Sequence, residues 1–327
     1  MSLEVKKKVF FHIGFPKTAS TSLQKCLFSK HSQINYVSGP ADVKNNFMMH
    51  PSFKGSIWRM NDKEFYNSYN ELLSKLNTIS SNLDSNKCNI LSNENFLQRF
   101  FYRKMEYDFF KGFLRLITLF NKTNIDLNFF LLIRNHSDII PSFYYQNLIN
   151  IKLEEVSLTA NEIIKYFRTG MNNNTETSKI LFDNFNYGKL YNYLSSHLKP
   201  NKIKFFLYED LQNNKERFLH DLSNYLEIGI SETIKLLYDS KENVTADKLY
   251  YKGLCYLIYR NLKQPKHLFN NFFRKLNSFV KFLSVEGKNK GYKNIKKNSQ
   301  LIKKYYREDC LELEKKLHLG LDRFNYF

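Results

Sequence analysis

Apolar residues gather in short unbroken runs near 8–14 (KVFFHIG), 88–92 (CNILS), 127–133 (LNFFLLI) and 202–208 (KIKFFLY), with a briefer one at 34–38. Runs of this length with no polar alternation suit strands buried on both faces of a parallel sheet. The intervening segments repeat at a different interval. Phe65, Tyr69, Leu72, Leu73 and Leu76 recur every three to four residues, as do Phe109, Phe113, Leu116, Ile117 and Phe120. That spacing predicts helices with one apolar face. Thr159 with Glu162 three residues on reads as a capping box, and Gly170 as the residue that closes the helix. Strands alternating with helices predict an α/β sandwich with a parallel sheet covered on both sides. After about residue 212 the pattern becomes helical, with candidates at 212–226, 246–262, 265–284 and 299–317. A lysine-rich break, GKNKGYKNIKKN at 287–298, separates the last two and reads either as a solvated loop or as a basic flap over an anion.

Length and composition narrow the rest. The 327 residues are 43% hydrophobic and 16% aromatic, enough for a sizeable core, and no repeat or Gly/Pro-rich linker divides them. A single domain is expected, 1–211 forming the α/β core and 212–327 a mainly helical part packed on it. Apolar runs such as FFLLI fall far short of a membrane span, and the N-terminus lacks an export signal, so the expected location is cytoplasmic. Cys26, Cys88, Cys255 and Cys310 show no metal-type pairing and read as reduced structural thiols. The net charge of +19 attracts polyanions, although lysine rises together with Asn, Ile, Phe and Tyr as AT-rich coding alone would produce.

Candidate chemistry begins where the first run ends. Residues 12–24 read HIGFPKTASTSLQ: a strand turns directly into a helix across Lys17, Thr18, Ala19, Ser20, Thr21 and Ser22. A helix start after a strand aims unpaired N–H groups and the positive end of the helix dipole over the sheet edge. Small residues let the backbone approach an anion, hydroxyls add donors, and Lys17 adds a mobile charge. A nucleoside-triphosphate loop needs G-x-x-x-x-G-K-[ST], and Lys17 follows Gly14 by three residues with no second glycine.

The turn resembles the 5′-phosphosulfate loop of the sulfotransferases, Pro-Lys-[ST]-Gly-[TS]-[TS], which binds 3′-phosphoadenosine 5′-phosphosulfate (PAPS). A second segment, NFFLLIRNHSDIIPSFYYQN at 128–147, resembles that family's 3′-phosphate segment, with Arg134 and Ser142 in its two key places. An arginine at a parallel strand's end offers a fork of donors to a phosphate. KIKFFLYEDL at 202–211 is similar to a third family segment, in which Glu209 and Asp210 are expected to brace a turn. The resemblance spans residues 9 to about 211. It implies a three-layer nucleotide-kinase-like fold with a central parallel sheet of about five strands, PAPS as co-substrate and no metal. The closing helix and tail look like those of bacterial and carbohydrate sulfotransferases, so that branch is favoured over the cytosolic aryl branch.

Several departures from the family pattern matter. Ala19 stands where the family usually has Gly, which strains the loop if φ is positive there. His136 replaces a frequent proline and Pro141 precedes Ser142, so the helix is expected to start late, with Ser142 near its N-terminus. GKNKG at 287–291 resembles a glycosaminoglycan-branch loop and implies Lys288 or Lys290 as a 3′-phosphate ligand. For the base that deprotonates the acceptor, Glu94 in NILSNENFL is preferred because it follows a strand on the edge that carries Lys17 and Arg134, with His50 as the alternative. His12, inside the first run, reads as a core histidine. The acceptor is expected to be a hydroxylated small molecule or glycan, with an amine as the alternative, bound by loops 39–61, 95–108 and 145–180 and by the C-terminal helices. Their aromatic residues Phe47, Trp58, Phe96, Phe100, Tyr102, Tyr144 and Tyr145 serve either that pocket or the core. The competing classes are a kinase or other nucleotide hydrolase of the same fold, and a basic nucleic-acid binder, for which no module is recognisable. No nucleic-acid partner is expected.

Overall fold

A computed structural model describes residues 6–38, 56–58, 60–93, 109–153, 158–171, 173, 175–238 and 290–327. Its centre is a five-stranded, all-parallel sheet in the order β2-β3-β1-β4-β5. The strands are β1 (Lys7–Ile13), β2 (Ile34–Ser38), β3 (Cys88–Asn93), β4 (Ile125–Ile133) and β5 (Ile203–Leu207). All five coincide with the apolar runs of the sequence, and the chain is an α/β protein.

The continuous apolar character follows from how the strands are used. In β1, Val9, Phe11 and Ile13 join one buried cluster, while Phe10 enters the other. β4 divides in the same way, Phe129, Leu131 and Ile133 on one side and Phe130 and Leu132 on the other. Side chains alternate across a strand, so this division shows helices covering both faces. Phe130 is fully buried among His12, Phe28, Phe206 and Tyr225, with ring centroids 4.8 to 6.4 Å away. Burial of one such ring contributes roughly 1.5–3 kcal/mol.

The elements around the sheet used below are α1 (Ser20–Ser22, running on through Leu23–Phe28), α2 (Phe109–Phe120), α3 (His136–Leu153), α4 (Tyr187–His197), α5 (290–297) and α6 (Ser299–Leu317). The predicted helix from Thr159 to Gly170 is present. Thr159 Oγ1 accepts from Glu162 N–H, the Glu162 carboxylate accepts from Thr159 N–H, and Gly170 closes the helix at φ 74°. The predicted helix at 299–317 is α6, which shares a core with the sheet through Ile302, Tyr306, Cys310 and Leu313. The helices expected at 246–262 and 265–284 lie outside the described residues. None of the described helices is long and apolar enough to cross a membrane.

Two expectations are corrected. Residues 290–297 of the lysine-rich break are helical, with Ile295 fully buried, so this part is a packed element and not a solvated loop. α3 begins at His136 and carries Pro141 inside it, so Ser142 lies in its second turn. Asn135 explains the early start: its side-chain oxygen accepts from Ser137 N–H at 2.9 Å, as a helix N-cap does. Pro141 has no N–H to give the carbonyl four residues back. Lys296 Nζ from α5 takes that place, donating to the Ser137 carbonyl at 3.3 Å and pairing with Asp138.

Candidate functional site

β1, β3, β4 and β5 are parallel, so their C-terminal ends share one edge of the sheet. At that edge the chain leaves β1 through Gly14, Phe15 and Pro16 into a tight turn. Lys17 and Ala19 both adopt left-handed backbone conformations, at φ 65° and 63°. Left-handed residues at alternate positions turn successive N–H groups toward one side, and the start of α1 adds more amides there. The glycine position of the family motif therefore does require positive φ, and Ala19 adopts it at a cost of about 1 kcal/mol. Ala19→Gly is expected to raise stability by up to roughly 0.5 kcal/mol, the relief of strain being partly offset by the added flexibility of the unfolded chain. The urea midpoint measures it.

The hydroxyls of the turn divide unevenly. Thr18 Oγ1 donates to the Phe15 carbonyl at 2.8 Å and Ser20 Oγ to the same carbonyl at 3.3 Å, both buried. They close the turn from within. Thr21 is half-buried, Ser22 is buried, and Lys17 is exposed.

Beneath the turn, Gln24 Nε2 donates to Ser92 Oγ at 2.9 Å, and Ser92 Oγ lies 2.7 Å from His12 Nδ1. This chain ties α1 to the ends of β1 and β3. His12 is the core histidine that its place in β1 predicts. Burial lowers its pKa to about 3, so it is neutral and supplies no charge to the edge.

Arg134 is the first residue after β4. Its Nη1 donates to the Lys17 carbonyl at 3.1 Å, and its guanidinium lies over the Tyr208 ring with the central carbon 4.6 Å from the centroid. Tyr187 from α4 fixes the backbone by donating its hydroxyl to the Arg134 carbonyl at 2.9 Å. Two segments 117 residues apart in sequence thus meet at one point of the sheet edge. Ser142, half-buried in α3, lies two residues before Tyr144, against which α5 packs. A Cβ on Gly291 would come 2.7 Å from a Tyr144 ring carbon, so only glycine permits that approach. Lys290 is exposed at the start of α5, one residue from this contact.

Glu94, His50 and Lys288 lie outside the described residues, as do Phe47, Phe96, Phe100 and Tyr102. Trp58 is a core residue, packed edge-on against Phe113 with centroids 5.0 Å apart, and Tyr144 is buried as well. Both belong to the core. Glu209 braces the edge as expected: its carboxylate accepts from Asn135 N–H at 2.8 Å and from the Tyr326 hydroxyl at 2.9 Å. Burial raises its pKa against the pull of those hydrogen bonds and of Arg134. The sequence reading missed Asn135. Its signal was present, since an Asn between a strand and a helix with an acid three residues on is a capping pattern.

Comparison of the sequence with protein-family models and with curated proteins finds no match. Solved structures similar to this chain are sulfotransferases. One is a sulfotransferase from Alicyclobacillus acidocaldarius, 15% identical, covering 68% of this chain and 81% of that one with a TM-score of 0.41. Another is the sulfotransferase domain from the curacin biosynthetic pathway, 15% identical, covering 72% and 79% with a TM-score of 0.35. A third is the sulfotransferase domain of the Synechococcus PCC 7002 olefin synthase, 10% identical, covering 86% and 97% with a TM-score of 0.38. Identities and TM-scores this modest leave the function to be argued from the chain's own residues.

Proposed function

We propose that this protein is a sulfotransferase that takes a sulfuryl group from PAPS and delivers it to a hydroxyl group of a carbohydrate or other small acceptor. The observation that carries the reading is the hydrogen bond from Arg134 to the Lys17 carbonyl, which brings two cationic residues of separate segments to one sheet edge. Support comes also from the two left-handed residues of the turn, Lys17 and Ala19, a backbone pattern of the kind that gathers amides around an anion.

PAPS, when bound, supplies a sulfuryl group joined to a phosphate that departs as adenosine 3′,5′-bisphosphate. In this reading Lys17 and the loop amides hold the 5′-phosphate and oppose the negative charge that grows on its bridging oxygen. Arg134 and Ser142 hold the 3′-phosphate, with Lys290 and Lys288 as further cations. Glu94 accepts the acceptor's proton, with His50 as the substitute, and the shared edge keeps donor and acceptor in line.

Thermal unfolding tests the donor assignment. Adenosine 3′,5′-bisphosphate at one hundred times its Kd is expected to stabilise the protein by about 2.7 kcal/mol, and ATP with magnesium to give no comparable shift. Stabilisation by ATP with magnesium and not by the bisphosphate would replace this reading with that of a nucleotide kinase or hydrolase.

A further inference from the structure

The chain beyond α6 folds back onto the same sheet edge. His318, Gly320 and Asn325 adopt left-handed conformations that reverse its direction. Glu314 holds the reversal through the N–H groups of Gly320 and Leu321, at 3.1 and 2.9 Å. Gly320 suits the reversal, since its φ of 73° is one that residues with a Cβ adopt only under strain. Tyr326 is thereby delivered, fully buried, to the C-terminal ends of β4 and β5, with its ring edge-on to His136 at 6.1 Å.

Every polar atom of Asn135 is engaged at this junction. Its carbonyl and side-chain oxygen start α3, its N–H donates to Glu209, and its Nδ2 donates to the carbonyls of Phe324 at 2.7 Å and Asn325 at 2.9 Å. Glu209 closes the circuit by accepting from the Tyr326 hydroxyl as well. The residue so anchored is the immediate neighbour of Arg134, whose guanidinium reaches the anion loop. An arginine fork binds a phosphate well only when its backbone is held in place.

We propose that residues 324–326 act as a positioning clamp for Arg134, making selective recognition of the donor's 3′-phosphate depend on the docked tail. The inference rests on the donor reading above and adds to it positioning residues, Asn135, Glu209 and Tyr326, outside the phosphosulfate loop. It also separates two otherwise equivalent consequences of losing the tail: general loosening, or a specific loss of discrimination between nucleotides with and without a 3′-phosphate.

Calorimetric titration of the full chain with adenosine 3′,5′-bisphosphate and adenosine 5′-monophosphate distinguishes them. Asn135→Ser keeps a capping oxygen for α3 but removes both donors to the tail. Tyr326→Phe removes one hydroxyl and keeps the buried ring. The wild type is expected to prefer the bisphosphate by about tenfold or more, and Arg134→Ala to cut that preference by about fivefold or more. Each clamp variant should lose about fivefold or more in bisphosphate affinity while its monophosphate affinity stays within about twofold. Asn135→Ser added to Arg134→Ala should cost nothing further, as expected for residues acting through one another. Clamp variants that keep the full preference, or that lose both ligands equally, overturn the clamp while leaving the donor reading intact. A wild type with no preference overturns the donor reading itself.

Discussion

Lys17→Ala is expected to lower turnover with PAPS by about two orders of magnitude or more, the loss seen when one preorganised donor to a developing anion is removed. The substitution is clean in this fold. Lys17 sits at φ 65°, where alanine is no worse than lysine, so the loop should keep its shape. The side chain is exposed, so no core contact is lost with it. Binding of adenosine 3′,5′-bisphosphate should weaken too, because the proposed donor site has the same ammonium opposing the 5′-phosphate in the ground state. Lys17→Arg should recover only part of the rate, since a planar fork cannot replace a compact charge at the crest of a tight turn. The contrasting variant is Glu94→Gln, expected to reduce turnover comparably while sparing bisphosphate affinity. Steady-state rates with labelled PAPS and titration with the product measure both. Full activity in Lys17→Ala would remove the loop from the reaction.

The parts of this arrangement differ in how visible they are in the sequence. The five strands were legible because a strand buried on both faces must be apolar at every position, and the division of Phe129, Phe130, Leu131 and Leu132 between two cores shows why. The course of the turn after β1 was legible because its features are local: strand, turn, lysine, small residues, helix. The same holds for the strain at Ala19, which follows from one substitution in a short motif. α5 was obscured by its lysines, since a helix with one buried face reads as a charge run when four of its eight residues are lysines, and the burial of Gly291 and Ile295 reveals the packed side. Pro141 misled for a related reason. A proline ends a helix only if the carbonyl it orphans finds no other donor, and the donor here, Lys296, is 155 positions away. The tail's grip on Asn135 has no local signature at all, being 189 residues distant in sequence.

Acidification should destabilise the fold steeply, beginning well above the range in which carboxylates titrate. His12 and His136 are fully buried, and desolvation lowers both pKa values to about 3. His136 lies flat against Tyr306, centroids 3.9 Å apart, and donates Nε2–H to the Phe185 carbonyl at 2.7 Å. Its Nδ1 is left to accept from the Cys310 thiol at 3.7 Å, so a second proton has no acceptor waiting. In the unfolded chain each imidazole takes a proton near pH 6.5, whereas in the folded chain neither does until about pH 3. Between those limits the unfolded state binds more protons, so stability is full above about pH 6.5 and falls as pH drops. Each histidine contributes a slope of about 1.4 kcal/mol per pH unit, or nearly 3 together. At pH 5 the loss reaches roughly 4 kcal/mol, a large part of the 5–15 kcal/mol that holds a typical domain folded. The buried carboxylates of Glu209 and Asp309, whose pKa values burial raises, act with the opposite sign as pH falls through their own titrations. Urea unfolding at pH 7.5, 6 and 5 measures the slope. His136→Gln, which keeps a donor for Phe185 but cannot titrate, should lower stability at neutral pH and flatten the profile by about half. An unchanged slope in that variant would mean that the imidazole between Tyr187 and Tyr306 is reached by water, and with it that the junction behind Arg134 is not the dry, rigid platform described.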